Sequence, residues 1–296
     1  MGRIPENLEG FREFLASKGL RDSTIRSKCK ILRMLSKRVN LWDSEAVEKF
    51  IRDSEWVGKR KNTVSYAYKD WCGWKGFSYE FKQYEEEDQR LPYIPTEREL
   101  DQLIAGFNNK YTCFLQLLKE FAFRPIEAVS LTPNDIDLEK RVVTLNTPAK
   151  RSKPRQFRMS RRLEAMIAPL IHKTKPNDKI WNLSSKSMSR TFCNRRRAIT
   201  EKLGSPKLMK ISFKTFRHWK ATIEYHKTKD ILYVKKLLGH KNIKNTLIYT
   251  HLVDFGEEDE FLSKVATNVE DAQKLIESGF EYVITFEDKM IFRKRK

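Results

Sequence analysis

The chain has 296 residues, 40% hydrophobic and 33% charged, and its 59 Lys/Arg outnumber 39 Asp/Glu for a formal net charge of +20. That is apolar material for one large or two ordinary globular domains, which excludes wholesale disorder, and no apolar stretch approaches the roughly 18 residues of a membrane span. The start, Met1-Gly2-Arg3-Ile4-Pro5-Glu6, has no apolar signal core, and four scattered cysteines (Cys29, Cys72, Cys113, Cys193) form no Cys-x-x-Cys pair, so the expectation is a cytoplasmic protein with reduced thiols.

Gly10-Phe11-Arg12-Glu13-Phe14-Leu15 predicts an amphipathic helix ending near Gly19. Asp22-Ser23-Thr24 is placed to cap a second, carrying Ile25, Ile31, Leu32 and Leu35, and Asp43 or Ser44 a third with Val47, Phe50 and Ile51 on one face. A fourth, with Tyr66, Tyr68, Trp71 and Trp74, follows Lys59-Arg60-Lys61. Aromatics so spaced read as core, and the three cations as contacts to a nucleic-acid backbone. The acidic run Glu85–Asp88 and the stretch Leu91-Pro92-Tyr93-Ile94-Pro95 have linker composition, and Thr96-Glu97-Arg98-Glu99 is a capping box. The expectation is a helical domain over 1–88, a linker over 89–96 and a second domain over 97–296.

In the second domain, helices fit 97–106, 111–121, 161–170, 187–203, 215–227, 230–238 and 244–251. A β-hairpin fits 141–145 and 155–159, its loop carrying Lys150, Arg151 and Lys153, and a second hairpin fits 282–286 and 290–293. The predicted class is mainly α with a small antiparallel β-sheet. Residues 91–251 hold 33 Lys/Arg against 13 Asp/Glu, so their net charge equals that of the whole chain, whereas 252–296 is net −4. A field concentrated in this way favours a polyanion, and nucleic acid foremost.

The chemistry narrows by elimination. No Walker loop, GxGxxG or HExxH occurs, and the five histidines (His172, His218, His226, His240, His251) make no metal-ligand spacing, so neither a metal nor a cofactor is expected. What stands out is a series of cations ending in a tyrosine. Arg124 follows an apolar helix, Lys150 sits on the hairpin loop, Lys214 and Arg217 share one face of a helix start, His240 follows Leu237-Leu238-Gly239, and Tyr249 comes nine residues later.

That order and spacing resemble the tyrosine recombinases, the phage integrase or Xer-like family of DNA breaking–joining enzymes, in their archaeal-type branch. Arg124 with Glu127 and Leu131…Asp135 resembles the first-arginine box, and Lys150 takes the β-hairpin lysine position. Leu-Leu-Gly-His240 and Tyr249-Thr-His-Leu resemble the most specific segment, with the His-to-Tyr interval intact. The family's His-x-x-Arg box is here Lys214-x-x-Arg217, which leaves open the group that deprotonates the tyrosine. The resemblance spans essentially 97–252, with 1–88 similar to the family's helical core-binding domain.

The resemblance implies a two-domain clamp on double-stranded DNA that cuts and rejoins strands at specific recombination sites. The route would be a 3′-phosphotyrosine intermediate, without metal or ATP. It implies catalytic roles for Arg124, Lys150, Lys214, Arg217, His240 and the nucleophile Tyr249, and a supporting role for Glu127. Lys59, Arg60, Lys61, Arg151, Lys153 and Arg155 would contact DNA. A homo-tetramer on DNA would exchange C-terminal segments, the acidic 252–296 docking on a basic neighbour or folding back on its own chain.

Elementary chemistry fits this set. Attack on a phosphodiester builds negative charge on the non-bridging oxygens, which forked guanidinium donors from Arg124 and Arg217 suit, helped by Lys214 and His240. Neighbouring cations are expected to lower the phenol pKa of Tyr249 from about 10. The leaving 5′-oxygen needs a proton, which Lys150 could supply. Two alternatives remain beside a recombinase: a type IB topoisomerase-like relaxing enzyme, and a catalytically silent DNA-binding protein.

Overall fold

The computed structural model describes residues 8–86, 91–182, 184–252 and 261–295. The chain divides into two compact units, Met1–Arg90 and Leu91–Lys296.

Four helices build the first unit: α1 (Glu9–Ser17), α2 (Asp22–Ser36), α3 (Ser44–Asp53) and α4 (Gly58–Lys75). Phe11 and Leu15, Ile25, Leu32 and Leu35, and Val47 and Ile51 form apolar stripes that close on Val64, Ala67, Tyr68 and Trp71 of α4, all buried. Asp43 caps α3, accepting from the Ala46 amide at 2.9 Å. The cap expected for α2 is not made. Asp22 is its first-turn residue, where a carboxylate favours the helix dipole, and Arg21 takes the cap position without a side-chain bond. Lys59, Arg60 and Lys61 lie within the start of α4 rather than before it. Arg60 sits over the Trp56 ring, and Lys61 donates to the Arg52 carbonyl at 2.7 Å. Tyr68 and Trp71 are core, whereas Tyr66 is half exposed and stacks on Phe81.

The second unit begins with α5 (Glu97–Ala105), opened by the expected capping box between Thr96 and Glu99. Next, α6 (Asn109–Phe121) is apolar on nearly every face, so Cys113, Phe114, Leu115, Leu117 and Leu118 all sit inside the main core. A short α7 (Pro125–Ser130) follows, with proline at its first position, where the missing N–H costs nothing. The strands β1 (Ile136–Asp137), β2 (Val142–Leu145) and β3 (Arg155–Arg158) form an antiparallel sheet in that order. After them come α8 (Arg161–His172), α9 (Ser185–Leu203), α10 (Phe213–Thr228), which packs along α6, and α11 (Ile231–Leu238). The helix expected over 244–251 is split into α12 (Lys244–Leu247) and a 3-10 turn, Ile248–His251. Its β-branched Thr246, Ile248 and Thr250 favour a long helix poorly.

The tail holds β4 (Phe261–Ala266), α13 (Val269–Glu277), β5 (Glu281–Phe286) and β6 (Lys289–Arg295), with β6 central in the order β4-β6-β5. The expected hairpin is β5–β6, while β4 is an addition that sequence reading missed behind the acidic run before it. Ala266, Ala272, Phe280 and Phe292 form a small core of their own beneath α13. Residues 261–296 hold seven Lys/Arg and six Asp/Glu, so the tail's acidity comes from Asp254, Glu257, Glu258, Asp259 and Glu260, which lie outside the described residues. No helix among the described residues is long and apolar enough to cross a membrane.

Candidate active site

Two helix ends build the floor of the site. Helix α6 stops at Ala122, whose left-handed backbone (φ 53°) turns its carbonyl outward, and α11 stops at Gly239 (φ 66°), just past Leu238. Both carbonyls point at Arg217 from α10: Nη1 donates to Ala122 O and Nη2 to Leu238 O, each at 2.7 Å. Carbonyl-rich helix ends are negative, and they hold this guanidinium where it is 8% exposed. Burial, and then the charge of Arg124, pushes the Arg217 pKa down. This cation is therefore short of negative charge.

Arg124 occupies the cap position of α7, and Glu127 sits three residues on, fully buried. One Glu127 oxygen accepts from Arg124 Nη1 at 2.8 Å and from the Ala149 amide at 3.1 Å. The other accepts from the Arg124 amide at 2.9 Å and from Arg155 Nη2 at 3.3 Å. Arg124 Nη1 also donates to Ser152 Oγ at 2.8 Å. A single carboxylate thus ties the β2–β3 loop, at Ala149 and through Ser152, to two arginines. Three guanidiniums (Arg124, Arg155, Arg217) gather around it, and the surplus positive charge is what an arriving anion would neutralise.

Arg155 does not reach solvent as a DNA contact would. Its side chain is buried beneath the site, bonded to Glu127 and, through Nη1 at 2.7 Å, to Leu238 O. The alternation of β3 carried the signal: Arg155, Phe157 and Met159 share one parity and point inward, while Gln156 and Arg158 are exposed. Lys150 and Lys153 are exposed on the loop, Lys150 with a left-handed backbone (φ 56°). Lys153 lines a broad basic groove together with Arg158, Lys236, His240 and Lys241. The Arg151 side chain lies outside the described residues.

His240 accepts from Arg217 Nη2 through Nε2 at 3.1 Å, and its Nδ1 meets Thr246 Oγ1 at 3.0 Å. Arg has no lone pair to offer, so Nε2 carries the acceptor and Nδ1 the proton. Burial, then Arg217 and Arg124, lowers the His240 pKa to about 4. It is a neutral imidazole in the free site.

Tyr249 sits on the 3-10 turn, 2% exposed, its hydroxyl 3.0 Å from His218 Nδ1. The expected lowering of its pKa is overturned: burial raises it to about 12, although Arg217 and Arg124 pull the other way. Desolvation outweighs the cations here because the phenol is sealed from water. His218 is itself held near 4 by burial, then by Lys214 and Arg217. Lys214 is exposed on the first turn of α10, and its charge acts on the His218 ring. Sequence reading passed over His218. The available signal was its place one turn after Lys214 on the same helix face.

The structure thus brings Arg124, Arg217, His240 and Tyr249 together, with Glu127 and Arg155 beneath them and Lys214 near enough to influence His218. Lys59, Arg60 and Lys61 belong to the other unit.

Residues 95–254 match the phage integrase family model. The tyrosine recombinase XerA of Saccharolobus solfataricus is 26% identical over 166 residues, which are 56% of this chain and 54% of that protein, so the match spans about half of the relative's length. Solved structures that share the fold include two recombinases bound to DNA. The Tn1549 transposon integrase in complex with transposon right-end DNA is 14% identical, with a TM-score of 0.62 over 90% of this chain and 98% of that one. The XerH site-specific recombinase bound to difH substrate is 16% identical, with a TM-score of 0.52 over 73% and 68%. The arginine–histidine–tyrosine cluster lies wholly within the matched residues, and the chain belongs to the phage integrase family, the tyrosine recombinases.

Proposed function

We propose that this protein is a site-specific DNA recombinase that cuts and rejoins strands through a phosphotyrosine, with no metal or ATP. The observation that carries the reading is the convergence of Arg124, Arg217, His240 and Tyr249 on one spot where positive charge exceeds negative. Tyr249 Oη attacks the scissile phosphorus while Arg124 and Arg217 take the non-bridging oxygens, whose charge grows in the transition state. The 5′-oxygen leaves with a proton from Lys150, and a 3′-phosphotyrosine conserves the bond for rejoining. The basic groove of the second unit, with Lys153 on its loop, takes the backbone of double-stranded DNA; Arg151 of the same loop and, in the first unit, Lys59, Arg60 and Lys61 of α4 make backbone contacts of their own. Four protomers assemble on two sites. Glu127 holds Arg124 in place, and Arg155 braces Glu127 against the end of α11.

The test is to incubate the protein with total DNA from its source, trap covalent adducts and sequence the attached 3′ ends. Adducts at a few defined sites, lost in Tyr249→Phe while DNA binding persists, support the reading. Sequence-indifferent adducts with supercoil relaxation would replace it by a topoisomerase. No adduct at all would leave a DNA-binding protein.

A further inference from the structure

We infer that His218 is the proton acceptor for Tyr249, a catalytic role that rests on Tyr249 being the nucleophile. His218 Nδ1 lies 3.0 Å from the phenolic oxygen, within the reach a general base needs. Among the described residues this is the hydroxyl's one hydrogen-bond partner, so a buried O–H has this nitrogen to donate to. A phenol is far more acidic than a neutral imidazole N–H, which sets the direction: Tyr249 donates, and His218 presents its Nδ1 lone pair with the proton on Nε2.

Neither neighbour suits the role. Lys214 stands in the exposed first turn of α10, and an ammonium has donors only. His240 already spends its Nε2 lone pair on Arg217. The charged groups that face His218 are Lys214 and Arg217 from α10, and the titratable His240 beyond the end of α11 is neutral in the free site. Burial first, and then these two cations, keep His218 neutral near pH 7 in the free protein, so the acceptor is unloaded there before DNA arrives.

Burial and the same cations make the imidazolium costly, and the substrate offsets the cations' share of that cost. A phosphodiester brings negative charge to Arg217, offsetting its field at His218. As the Tyr249 Oη–P bond forms, the phenolic oxygen loses its basicity and its proton passes to His218 Nδ1. The P–O5′ bond breaks at the same time, and the leaving oxygen takes its proton from the general acid. On rejoining, the 5′-hydroxyl attacks and gives its proton back to the general acid, the Tyr249 Oη–P bond breaks, and His218 returns the other proton to Tyr249. Atoms and charges balance over the cycle with no other reactant.

The experiment uses the full chain and a nicked duplex carrying a site mapped by adduct sequencing, read as the single-turnover rate of covalent complex formation. His218→Gln keeps an acceptor that cannot take a proton, and its rate should fall about 10²–10⁴-fold with duplex affinity unchanged. Imidazole in the buffer should restore His218→Ala, faster with more basic imidazoles, and should leave Arg124→Ala unrescued. A fluorinated, more acidic tyrosine at position 249 should shrink the His218→Gln deficit. A His218→Gln rate within about threefold of the native rate overturns the inference, since general-base loss costs about 10²-fold or more. So does a deficit that neither imidazole nor fluorotyrosine changes. Nitrogen NMR of the native protein needs no variant: Nδ1 must read as unprotonated near neutral pH, and a protonated Nδ1 overturns the inference directly. If Tyr249→Phe itself still forms adducts, the nucleophile assignment has failed instead.

Discussion

A Cβ placed on Gly239 would fall on the Nη1 atom of Arg155, the guanidinium that links Glu127 to the α11 carboxy terminus. Gly239 is therefore required twice, by its left-handed backbone and by the absence of a side chain. Gly239→Ala should cost at least about 2 kcal/mol in denaturant unfolding, the left-handed penalty plus displacement of Arg155. A cost below about 0.5 kcal/mol would mean that Arg155 has an equally good alternative position.

Glu127 is the most heavily used carboxylate in the molecule's site, accepting from Arg124 twice, Ala149 and Arg155. Removing it leaves buried guanidiniums unpaired. Glu127→Ala should destabilise the second unit by about 3–5 kcal/mol, measured by urea unfolding. Arg155→Met, which removes one of the surplus charges, should lose less stability than Glu127→Ala, and the reverse order would refute this account of the network.

The acid assigned to Lys150 can be separated from charge stabilisation by sulfur substitution at the bridging 5′-oxygen, since a thiolate leaves without a proton. Lys150→Ala should slow cleavage of ordinary DNA about 10²–10⁴-fold and recover on the sulfur substrate. Arg124→Ala should not recover, because the work proposed for it on the non-bridging oxygens is unchanged. Recovery of Lys153→Ala alone would move the acid to the residue that lines the groove beside His240.

His218 and His240 are held near 4 in the folded protein, against an ordinary value of 6.5. Above pH 6.5 both states leave them neutral, and they contribute no pH dependence. Below it the unfolded chain binds protons that the folded one refuses, so stability should decline from about pH 6.5 to about pH 4. Urea midpoints across this range should show the decline, and His218→Gln combined with His240→Gln should flatten it. An unchanged slope in the double variant would place the titration elsewhere.

The β4–α13–β5–β6 module has a core separate from the main one, and Val265, Ile284 and Phe286 are more than half exposed. Deleting residues 256–296 should leave the melting temperature of the main core and DNA binding nearly unchanged while impairing strand exchange between protomers. Full recombination by the truncated protein would remove the tail from assembly.

Much of the fold was legible because it is periodic and locally signalled. The helical stripes of α2 and α3, the Thr96 capping box, and the β2–β3 and β5–β6 hairpins all follow from spacing, caps and turn residues within a few positions. Of the site, Arg124, Arg217, His240 and Tyr249 could be singled out by type and interval alone. Their protonation could not. A sequence counts cations around Tyr249 and predicts a lowered pKa; only tertiary packing seals the phenol from water, and desolvation reverses the sign. Burial also turned Arg155 from a presumed DNA contact into a strut, and long-range folding set His218, 31 residues from Tyr249, against its hydroxyl. Local chemistry is written along the chain, but dielectric environment and long-range partnership depend on which surfaces meet, and those meetings exist only once α6, α10, α11 and the 3-10 turn have packed.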